Sequence, residues 1–184
     1  DGAAPYIVTF NVPSWVQGTV GNNSTVSKST IKYEYYTCDV TGGAFTGTMR
    51  LVKQGDGILN LPAVKNTYSG NTDIWAGTVN FDGELTSSRV WMNRFAELNT
   101  SGVYGRSIEM NYASILRPGG EGTKGVMSCD SLIAGFGARV VFDLYSDGLE
   151  SDMVKASVLK IGTKNWKYGP EFLAPVFEIA GHHA

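Results

Sequence analysis

Apolar and polar residues alternate in short runs along most of this chain. Tyr6, Val8 and Phe10 oppose Ile7, Thr9 and Asn11, which predicts a strand over Tyr6–Trp15 that Pro13 ends or confines to an edge. Ile31, Tyr33 and Tyr35 oppose Lys32, Glu34 and Tyr36, so Thr30–Val40 reads as a second strand. Thr48–Lys53, Ile58–Leu61, Ile74–Phe81 and Ala174–Ile179 read the same way, and Gly125–Tyr145 holds one or two more strands. Gly42-Gly43 marks a turn, and Gly55-Asp56-Gly57 and Asp82-Gly83 predict hairpins. Gly18–Ser29 and Lys65–Thr72 are polar loops, and Arg117–Gly122 is a flexible turn. Gly135 and Gly137 suggest a bulge or a close backbone approach. The exception to the alternation is Glu150–Ile161. There Met153, Val154, Val158 and Ile161 fit a helical stripe, with Ser151 as a cap and Gly162 as a stop, and predict one short helix. No internal repeat is visible in these runs, and nothing in them is long or biased enough to be an interdomain linker.

Composition narrows the class. Many glycines between β-branched and aromatic runs, in a chain of 184 residues, predict a single all-β domain over 1–184. Charged residues are 17% and the net charge is −2, which excludes the basic stripe of a nucleic-acid partner. No apolar run reaches the ~20 residues of a membrane span, so no membrane insertion is expected. No charged-then-apolar signal segment opens the sequence, and Asp1 reads as a mature or trimmed start. The low charge and neutral polar surface read as secreted. Asn23-Ser24-Thr25 matches a glycosylation acceptor, which matters only in a host that uses it.

Chemistry is constrained by what the chain contains. Its two histidines, His182 and His183, sit in the terminal GHHA and read as remnants of a tag or a frayed end. Without an internal histidine, a Ser–His–Asp site and a histidine zinc site are both excluded. The acidic residues lie mostly in Asp-Gly turns, so neither a carboxylate pair nor a calcium loop stands out. No enzyme, metal or cofactor is expected. The two cysteines, Cys38 and Cys129, are too far apart in sequence for a CxxC motif. In an oxidising compartment they would form a disulfide, and otherwise they are two buried thiols.

The stretch Ser88–Pro118 is the most suggestive. It reads as a strand (Arg89–Asn93), an irregular polar loop (Arg94–Arg106) and a second strand (Ser107–Leu116). The loop combines Asn99, Thr100, Ser101, Gly102 and Tyr104, and short hydrogen-bonding groups beside an aromatic plate suit a saccharide. Asn93, Arg94, Asn99, Thr100, Ser101 and Gly102 are the candidate polar contacts, and Tyr104 is the candidate stacking ring.

Val90-Trp91-Met92, the Asn99–Gly102 turn and Ile115-Leu116-Arg117 resemble the receptor-binding lectin domains of chaperone–usher pilus tips, most of all the N-acetylglucosamine-binding branch. Asp56–Val64 and Ser131–Phe142 resemble further strands of that family, in the same order. The resemblance implies an elongated, immunoglobulin-like, jelly-roll-like β-sandwich. It also implies a non-enzymatic adhesin, exported through the periplasm to an extracellular fimbrial tip, that binds a host glycan containing an N-acetylhexosamine. Its other partners would be a pilin domain, absent from this chain, and pilus subunits. The acid and hydroxyl of the family's sugar site fall here on Arg94 and Phe95. The alternatives are an adhesin for a host protein and a structural subunit of a surface assembly.

Overall fold

In the computed structural model, residues 7–12, 14–17, 32–145, 151–162 and 175–182 are described. The Gly18–Ser29 loop with its Asn23-Ser24-Thr25 motif, Trp166 and His183 lie outside them. The described residues are all-β, as the alternation predicts, but nearly every strand pairs in parallel. The chain winds as a three-faced solenoid.

The first face carries β1 (Ile7–Asn11), β5 (Arg50–Gln54), β8 (Thr72–Ile74) and β11 (Val90–Met92). It continues in the later parts of β13 (Val103–Met110), β15 (Val126–Ala134) and β17 (Met153–Ile161). The second face carries β4 (Thr37–Asp39), β6 (Ile58–Asn60), β9 (Thr78–Asn80), β12 (Glu97–Thr100), β14 (Ile115–Pro118), β16 (Arg139–Tyr145) and β18 (Val176–His182). The third begins with β7 (Lys65–Asn66) and β10 (Glu84–Leu85). It continues in the first residues of β13, β15 and β17, which bend from this face into the first. Apart from these, β2 (Ser14–Gln17) and β3 (Lys32–Tyr35) form an antiparallel pair.

An immunoglobulin-like sandwich is built from antiparallel strands, so that expectation is corrected. So are the hairpins. Gly55 joins β5 on one face to β6 on the next, and Gly83 joins β9 to β10 on different faces. Both turns are real, but a solenoid corner needs the same turn chemistry as a hairpin. The expected helix over Glu150–Ile161 is also corrected. Met153–Ile161 is β17, held by eight register pairs to β15, with Val154 and Ala156 packed against the core. Pairing along the whole edge of β15 outweighs a local stripe.

The repeat that the sequence hides is set by the coils. Thr72 lies beside Val90 and Val90 beside Ile108, a spacing of 18 residues, whereas Leu132 and Leu159 are 27 apart. Like positions stack inward: Leu59, Val79, Leu98, Leu116 and Val140 form one buried column on the second face. Facing outward beside it, the Asn99 amide donates to Asn80 Oδ1 (2.9 Å), Asn80 to Asn60 Oδ1 (2.7 Å), and Asn60 to Asp39 Oδ1 (2.6 Å). Strands in register about 4.8 Å apart bring such amides within bonding reach. Arg50–Asp73, Lys65–Glu84, Arg89–Glu109, Arg117–Glu97 and Arg139–Glu178 add ion pairs between coils.

A buried cation sits in the core. Lys53, fully buried, donates to the carbonyls of Gln54, Gly55 and Ala76, and burial pulls its pKa down to about 8. Cys38 and Cys129 are both free thiols. Cys38 starts the second-face column, and Cys129 belongs to the coil of Leu116. Four strand spacings put them about 19 Å apart along the axis, far beyond the ~7 Å limit for a disulfide, so that pairing is corrected.

Candidate functional site

The stretch around Asn93–Tyr104 turns two corners of one coil, and the corners differ. Between β11 and β12 the chain reverses over Asn93-Arg94-Phe95-Ala96, closed by Ala96 N–H donating to Asn93 O (3.1 Å). The next coil repeats this over Asn111–Ser114 (3.1 Å), and the one after over Gly135–Ala138 (3.2 Å). The third residue of each reversal is left-handed: Phe95 at φ 63°, Ala113 at φ 55°, Gly137 at φ 64°. A type II turn asks for glycine at that place. Gly137 supplies it, and in doing so leaves room for Tyr112, whose ring would lie 3.0 Å from an added Cβ.

Asn93, Arg94 and Phe95 are exposed, Phe95 to 63%. The Arg94 guanidinium carbon lies 4.7 Å from the Phe95 ring centroid and 5.0 Å from that of Tyr112. The two rings meet edge to face at 6.4 Å. Trp75, one coil earlier at this corner, is 47% exposed.

The corner between β12 and β13 is built the opposite way. Thr100 is fully buried; its hydroxyl donates to Phe81 O and accepts from Gly102 N–H (2.9 Å) and the Tyr104 hydroxyl (2.8 Å). Tyr104 is 3% exposed and packs edge-on against Phe81 at 6.1 Å, and burial pushes its phenol well above the ordinary range. A Cβ on Gly102 would lie 2.5 Å from the Gly83 carbonyl oxygen of the preceding coil. Ser101 N–H donates to Asp82 Oδ1 (2.6 Å), and Asn99 belongs to the asparagine ladder.

Of the residues expected to meet a ligand, then, Asn93 and Arg94 stand together on an exposed corner. Thr100, Gly102 and Tyr104 are corrected: they face the interior, and Tyr104 presents no ring face to solvent. The expected irregular loop Arg94–Arg106 contains β12 and the start of β13. Phe95, Tyr112 and Trp75 are not among the ligand contacts the sequence predicts. Their signal is an exposed ring on a left-handed turn, and it exists only in three dimensions.

A family model described as the passenger-associated-transport-repeat matches residues 51–81. The match covers one full coil, from β5 through β6 and β7, and the first two faces of the next, β8 and β9. No curated protein and no solved structure matches the chain.

Proposed function

We propose that this chain is a segment of an exported, autotransporter-type passenger displayed outside the bacterial cell, where it acts without catalysis as a rigid presenting rod. The observation that supports this reading is the coincidence of the transport-repeat match with a parallel coil stack. Each coil contacts mainly its neighbours, so the fold grows coil by coil and needs no long-range closure. A chain that folds after crossing a membrane is well served by such local growth. The matched repeat is described as passenger-associated, which favours this reading over a pilus-tip lectin joined to a pilin domain.

The test is made on intact cells producing the full-length protein. Antibody raised against this segment should label unpermeabilised cells, and external protease should remove the label. Labelling that requires permeabilisation would exclude surface display.

A second reading, favoured by the exposed Asn93 and Arg94 beside aromatic rings, is that the rod is itself an adhesin for a host glycan. A host-protein receptor is the remaining adhesive alternative. Binding of the purified segment to glycan or to protein arrays separates the two.

A further inference from the structure

We propose that the corner formed by Asn93, Arg94, Phe95 and Tyr112 is a receptor site for a carboxylated saccharide. The proposal deepens the adhesive reading and rests on it for its biological use, but binding by the purified chain is measurable whether or not the protein reaches the cell surface.

Three observations carry it. First, Phe95 occupies a left-handed backbone position, where a bulky side chain is a genuine outlier, and such outliers cluster at functional sites. The ring gains little burial in return, being 63% exposed. Second, the Arg94 guanidinium carbon lies over the rings of Phe95 and Tyr112 at 4.7 and 5.0 Å. A guanidinium stacked on ring faces keeps its N–H edge free, and that edge matches a carboxylate with two parallel hydrogen bonds. No carboxylate takes that place among the described residues. Third, the stacked turns Trp75–Gly77, Asn93–Ala96, Asn111–Ser114 and Gly135–Ala138 contain one charge, that of Arg94. The acid of the next turn in the stack, Asp56, lies two coils from Arg94.

A sugar fits the remainder of the corner. The exposed parts of Phe95 and Tyr112 can cover its C–H faces, and the Asn93 amide can exchange hydrogen bonds with its hydroxyls. The carboxylate can come from a sialic acid or from a uronic acid. These two sources share the chemistry and differ in the ring that carries it.

The experiment titrates the purified chain with 3′-sialyllactose, with a hyaluronan tetrasaccharide and with neutral lactose. Binding of at least one acidic probe, with lactose at least tenfold weaker, is expected. Arg94→Gln should weaken the acidic probe about tenfold or more and leave lactose unchanged. Arg106→Gln, which removes an exposed charge from another part of the coil, should bind as the parent does. Phe95→Gly should lose binding while remaining folded by circular dichroism, since glycine suits the turn. Failure of both acidic probes, equal affinity for lactose, or equal losses in Arg94→Gln and Arg106→Gln would overturn the proposal.

Discussion

Two corners of one coil, only a few residues apart, handle their side chains in opposite ways. At the inner corner, Thr100, Gly102 and Tyr104 are buried, and the Thr100 hydroxyl joins Phe81 O, Gly102 N–H and the Tyr104 hydroxyl. At the outer corner, Asn93, Arg94 and Phe95 face solvent, and a left-handed position that would favour glycine carries a phenylalanine. The inner corner is shaped by what the neighbouring coil allows. The outer corner is shaped by what it presents. Short polar residues beside an aromatic therefore have two readings, and the direction in which the turn points its side chains decides between them.

The contrast can be broken most strongly at Gly102. Gly102→Ala would drive a Cβ to 2.5 Å from Gly83 O, a backbone atom that cannot move without shifting a coil. A loss of about 3 kcal/mol or more is expected in chemical denaturation. Thr100→Val comes next. It leaves the Tyr104 hydroxyl, Gly102 N–H and Phe81 O without their shared partner, and should cost about 2 kcal/mol while leaving the outer corner intact.

Alkaline titration separates the corners by pH. Burial pushes the Cys129 thiol, which lies beside Tyr104 in register, up to about 11. Its folded value lies above the unfolded one, so its contribution is complete below about pH 9 and is lost as pH rises toward 11. Relative to Cys129→Ala, the parent should lose about 2 kcal/mol across that window. Lys53 acts with the opposite sign. Its pKa is lowered to about 8, so its share of stability rises from pH 8 toward its unfolded value, and the difference between the two proteins cancels it. Smaller still is the effect of a reductant. With both thiols free, dithiothreitol should leave the unfolding midpoint unchanged, and a fall would show that a disulfide forms.

The β content was legible because alternation and turn chemistry act locally. Ile58–Leu61 was expected as a strand and β6 lies within it; Gly135 and Gly137 were expected to allow a close approach, and a Cβ on Gly135 would lie 2.6 Å from Met110 O. Strand direction was not legible. Gly55-Asp56-Gly57 reverses the chain whether the next strand returns beside the first or steps onto a new face. The coil repeat is hidden because its length varies from 18 residues between Thr72 and Val90 to 37 between Arg139 and Val176 and 43 between Ile7 and Arg50. Of the site, Asn93 and Arg94 were named for their loop chemistry. Phe95 enters the sequence reading only through the family's acid-and-hydroxyl position, because its strain and exposure have no signature in the sequence.

Phe95 is presented by the fold and does not hold it together. Equilibrium unfolding of Phe95→Gly tests this directly. Relief of the left-handed strain is worth about 1–2 kcal/mol, offset by the lost contacts with Arg94 and Tyr112 and by a more flexible unfolded chain. Stability within about 1 kcal/mol of the parent is expected. A loss well above about 2 kcal/mol, as for a packed aromatic, would contradict it and make the ring a structural prop.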